Sequence, residues 1–93
     1  MSSLEEHKLQ LVRQRFEGTI PWFERSTRAK VVLRPSTASG SFTLCATWVG
    51  GTYEKVHTVA TIREVGRRGC TKWLAEQFVR EVLSRQGEEL DDE

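Results

Sequence analysis

The chain has 93 residues, of which 38% are hydrophobic and 29% charged. That is the size and balance of a single small globular domain. No apolar run approaches the roughly 20 residues that span a bilayer. The 14 Lys and Arg against 13 Asp and Glu leave a net charge of +1, which on its face argues against an anionic ligand.

The charge is unevenly spread. Glu88-Glu89-Leu90-Asp91-Asp92-Glu93 holds five acids and no base, so the other residues carry 14 bases against 8 acids, a net of +6. Residues 1–87 are therefore read as one basic α+β domain and 88–93 as an acidic, disordered tail. Two cysteines are too few for a disulfide scaffold, and Met1–Glu6 lacks the pattern of a secretory signal. The expectation is a reducing, cytoplasmic setting with free thiols and no membrane association.

In chain order, Ser2 or Ser3 caps a first helix. Its apolar positions are Leu9, Val12 and Phe16, and Gly18 ends it near residue 17. Ile20-Pro21-Trp22-Phe23 then forms an irregular apolar knot. It either plugs the edge of the core or presents an aromatic anchor, Trp22 and Phe23, to a partner. Residues 29–35 alternate and are rich in β-branched side chains, which predicts a strand ended by Pro35. Residues 41–49 form a second strand with Phe42, Leu44, Ala46 and Trp48 on one face. Residues 53–63 form a third.

The hairpin turn sets which residues share a face. A two-residue Gly50-Gly51 loop would bring Lys55 and His57 beside Leu44 and Ala46. A three-residue loop, Val49-Gly50-Gly51, pairs Leu44 with Val56 and Phe42 with Thr58 and separates apolar from charged positions. Burial favours the second register. Gly66-Arg67-Arg68-Gly69 is a basic turn. Residues 70–85 form a helix with Leu74, Phe78 and Val82 on one face, stopped by Gly87. The expected architecture is a two-layer αβββα sandwich, with both helices on one face of a three-stranded antiparallel sheet.

In that register the open sheet face carries Lys30, Arg34, Tyr53, Lys55, His57 and Arg63, and no acid. Four bases with an aromatic for stacking form an electrostatic footprint for a nucleic-acid backbone. Arg67, Arg68 and Lys72 supply a second basic contact where the last helix begins. The same face also carries Val32, Cys45, Val49 and Val59, which would let it dock a second sheet or subunit.

The segment Gly69-Cys70-Thr71-Lys72-Trp73-Leu74-Ala75-Glu76 resembles the opening of the second helix of double-stranded RNA-binding domains at Gly69, Thr71, Lys72 and Ala75. It departs at Trp73 and Glu76, where that family has lysines. The basic strand Arg28-Ala29-Lys30-Val31-Val32-Leu33-Arg34 resembles that of the small Alu-domain subunits of the signal recognition particle. That likeness implies RNA binding by the open sheet and pairing with a sister subunit of the same fold.

Cys45, Cys70, His7 and His57 show no metal-ligand spacing, and no nucleophile–base–acid arrangement is recognisable. The reading is a non-enzymatic domain, without cofactor or metal, that binds structured RNA. The alternative is a protein-interaction module using the open sheet or Trp22-Phe23.

Overall fold

The computed structural model describes residues 3–35, 40–58 and 70–90. The chain runs α1 (Ser3–Thr27), β1 (Lys30–Pro35), β2 (Ser41–Trp48), β3 (Gly51–Thr58) and α2 (Cys70–Leu90). The strands form one antiparallel sheet in the order β1-β2-β3. Helices and sheet enclose a core that includes Leu9, Phe16, Phe23, Phe42, Leu44, Phe78 and Val82. No helix among the described residues is long and apolar enough to cross a membrane.

Both helices outrun their expected ends. α1 passes through Gly18 and Pro21 because the apolar stripe continues: Phe16, Phe23 and Thr27 are buried and Ile20 packs against them. Pro21 deprives the Glu17 carbonyl of its helical donor. Glu17 and Pro21 are both exposed, so water can serve that carbonyl. The helix stops instead at Arg28, which has a left-handed φ of 57°. Its N–H donates to the Glu24 carbonyl at 2.8 Å, the single-bond form of a left-handed C-cap. The Thr27 hydroxyl donates to Phe23 O at 2.6 Å and accepts from Ala29 N at 3.3 Å.

α2 likewise passes Gly87 to Leu90. Glu88–Leu90 are therefore helical rather than part of a disordered tail, while 91–93 lie outside the described residues. Gln86 Nε2 donates to Thr27 O at 2.7 Å, tying the C-terminal ends of the two helices together. α1 also reaches the sheet, where a Glu24 carboxylate oxygen accepts from Val31 N at 3.0 Å. That bond satisfies an amide that an edge strand would otherwise leave open.

The hairpin register differs from the expected one. Trp48 pairs with Gly51, Leu44 with Lys55 and Phe42 with His57. The loop is Val49-Gly50, with Gly50 at φ 109° in the third position of the turn, where type II geometry calls for a left-handed residue. The shift turns β3 over, because strand side chains alternate with a period of two. Tyr53, Lys55 and His57 now face the helices. Glu54 and Val56 face outward.

This face tolerates Lys55 and His57 for two reasons. Lys55 Nζ donates to both oxygens of Glu81 on α2 at 3.1 Å, so its charge is compensated at the rim of the core. His57 is fully buried as an aromatic ring, 5.4 Å from each of Phe16 and Phe42, and nearly parallel to Phe16.

Candidate nucleic-acid interface

On the described part of the open sheet, β1 contributes Lys30, Val32 and Arg34, β2 contributes Thr43, Cys45 and Thr47, and β3 contributes Thr52, Glu54, Val56 and Thr58. Of the expected phosphate contacts, Lys30 and Arg34 stay on this face. Tyr53, Lys55 and His57 leave it, and Arg63 lies outside the described residues. The face also gains an acid: Arg34 Nη1 lies 4.0 Å from Glu54. Arg34 Nη2 reaches over β2 to 3.5 Å from Cys45 Sγ. The Thr47 and Thr52 hydroxyls stand 3.9 and 3.8 Å from the same sulfur. Cys45 is thus a free thiol, 3% exposed even though it belongs to the open face. The result is a mixed Thr/Val surface, with Val32 42% and Val56 55% exposed. It is not a basic platform.

The displaced residues form a polar clamp between β3 and α2. Tyr53 Oη donates to Glu81 Oε1 at 2.7 Å, and the Arg85 guanidinium lies 5.4 Å from the Tyr53 ring centroid. Burial, reinforced by the hydrogen bond to Glu81 and by its charge, pushes the Tyr53 phenol up to about 12, against the opposing charge of Arg85. Burial would raise the Glu81 carboxyl, but hydrogen bonds from Tyr53 and Lys55 and the Lys55 charge outweigh it and lower the pKa. Burial, with the Lys55 charge adding to it and Glu81 opposing, lowers the His57 imidazole to about 4. Among the described residues, neither ring nitrogen of His57 has a hydrogen-bond partner. A neutral stacked ring is the state this site accommodates.

A second surface gathers what the sequence scatters. A groove of about 480 Å³ runs between the helices, with Arg15, Thr19 and Trp22 from α1 facing Thr71, Lys72, Ala75 and Glu76 from α2. Arg15, Thr19 and Trp22 share a flank of α1 because they stand at i, i+4 and i+7. Trp22 is 37% exposed, whereas Phe23 is fully buried. The Trp22-Phe23 pair therefore divides its work: Phe23 is core, tilted against Phe78 at 5.1 Å, and only Trp22 reaches the surface. Lys72 is exposed in the first turn of α2. Arg67 and Arg68, expected beside it, lie outside the described residues. The Thr71 hydroxyl is buried without a partner among the described residues. Among the described residues, no ion pair within 4.0 Å involves Arg15, Lys72 or Glu76.

Sequence reasoning found Lys72 and Trp22 separately and missed Arg15. The signal was there in the spacing of Arg15 to Trp22, and was hidden by the expectation that α1 ends before Trp22. Among the described residues no cluster of His, Cys, Asp or Glu is placed to hold a metal ion. No protein-family model, curated protein or solved structure matches this chain closely enough to indicate kinship.

Proposed function

We propose that the chain is a small non-enzymatic RNA-binding domain whose contact surface is the groove between the helices and the start of α2. The observation that carries this reading is the meeting of Arg15, Trp22 and Lys72 across two helices. It places one cation on each wall and an exposed indole on the wall that carries Arg15. Cations contact phosphates and give salt-dependent affinity, and an aromatic face stacks on bases. Arg67 and Arg68 precede Lys72 in sequence. The open sheet has the same balance of two bases and one acid on its described part, but its expected stacking residue, Tyr53, faces the helices instead.

The test is a gel shift with a structured RNA between 50 and 200 mM salt. Affinity should fall steeply with salt, and Arg15→Glu with Lys72→Glu should remove the shift. Lys30→Glu with Arg34→Glu should change it little. No shift at low salt, or a shift indifferent to the first pair, would overturn the reading.

A second reading, a protein-interaction module, is favoured by the exposure of Val32 and Val56 on one sheet face. It predicts a salt-resistant protein partner that is lost on Val32→Lys with Val56→Lys.

A further inference from the structure

We infer that the groove between α1 and α2 takes a single unpaired nucleotide whose base carries an exocyclic amino group. The inference rests on the RNA-binding reading and narrows it. Its volume, about 480 Å³, is that of a small-molecule site. The groove is an open cleft lined by side chains of two helices. Ala75, buried and small, lines the same groove as the exposed Trp22 and the charged groups. A base within a duplex keeps both faces stacked, so only an unpaired base can offer a face to an indole. Arg15 on one wall and Lys72 on the other are unpaired among the described residues and can meet the phosphates on either side of that base.

Glu76 decides the choice of base. A groove evolved for phosphate alone has no use for a carboxylate, which repels the anion. A carboxylate beside a stacked base accepts hydrogen bonds from an amino group, the contact by which Glu and Asp select cytosine. Cytosine and adenine offer such a donor and uracil does not. Charge and chemistry in the groove are then consistent: two cations for two phosphates, one carboxylate for one amino group, and one ring for one base.

The experiment uses the full chain with labelled hexamers of cytidylate, adenylate and uridylate and a blunt 20-base-pair RNA duplex, followed by fluorescence anisotropy at low salt. The C and A hexamers should bind about tenfold tighter than U. Trp22→Ala should weaken all three about tenfold. Glu76→Ala should erase the preference by improving U. Circular dichroism checks that both variants are folded; each changes an exposed side chain. Binding of the duplex without the single strands would overturn the inference and leave the RNA-binding reading standing. Binding of neither would overturn both. Single strands bound without base preference, or a preference that survives Glu76→Ala, would also overturn the inference.

Discussion

His57 gives the sharpest test of the architecture, because its environment depends on the hairpin register. In the observed register it is fully buried between Phe16 and Phe42. In the three-residue-loop register it would lie on the open face. The folded imidazole is lowered from the ordinary 6.5 to about 4. The unfolded chain therefore binds a proton between these values that the folded chain does not. Stability is unaffected well above pH 6.5 and falls as pH drops through the window between 6.5 and 4. Integrating the linkage from pH 7 to pH 5 gives a loss of about 2 kcal/mol.

Glu81 titrates with the opposite logic. Its folded pKa is depressed below 4.5, so its contribution is present above 4.5 and is lost as pH falls through the folded value. The pH 5–7 window thus belongs to His57. Urea unfolding followed by far-ultraviolet circular dichroism at pH 5, 6 and 7 measures the loss. His57→Phe keeps an aromatic ring in the stack and removes two unpartnered nitrogens. It should flatten the profile and leave stability at pH 7 equal or higher by about 1 kcal/mol. A wild-type stability that stays level from pH 7 to 5, or that falls in parallel with the variant, would refute the buried placement. It would reinstate the three-residue loop.

Tyr53 is the only tyrosine, so alkaline absorbance reports it without interference. In the native protein the phenol should titrate near 12, and Glu81→Gln should move it back towards 10 by removing the charge it faces. An ordinary midpoint in the folded wild type would refute the clamp. Phe23→Ala should cost about 3–5 kcal/mol because it empties a fully buried site. Trp22→Ala should cost less than half of that while weakening RNA binding. Denaturant midpoints compare the two, and a reversed ranking would show that α1 ends before Trp22.

The order of elements was legible in the sequence because it depends on local pattern. Leu9, Val12 and Phe16 repeat with a helical period, as do Leu74, Phe78 and Val82. Val31 and Leu33, and then Phe42, Leu44 and Ala46, alternate with a strand period. Those periods dictate an αβββα sandwich with one covered sheet face. The helix ends were less legible, since Gly18 and Gly87 read locally as stops. Burial of Phe23 and Thr27 and the bond from Gln86 to Thr27 outweigh a propensity cost of about 1 kcal/mol per glycine.

The face of β3 was not decided locally at all. Placing Lys55 beside Leu44 looks unfavourable until Glu81, 26 residues away, supplies its partner. His57 looks misplaced until Phe16 and Phe42 enclose it. Charge pairing and ring stacking across elements are invisible to a pattern of alternation, and a register shift of one residue exchanges every side chain between core and surface. The net charge of +1 was the least informative quantity of all. The tertiary structure decides how it is used: Lys55 is spent on Glu81, Arg34 faces Glu54, and Arg15 and Lys72 line one groove with Trp22.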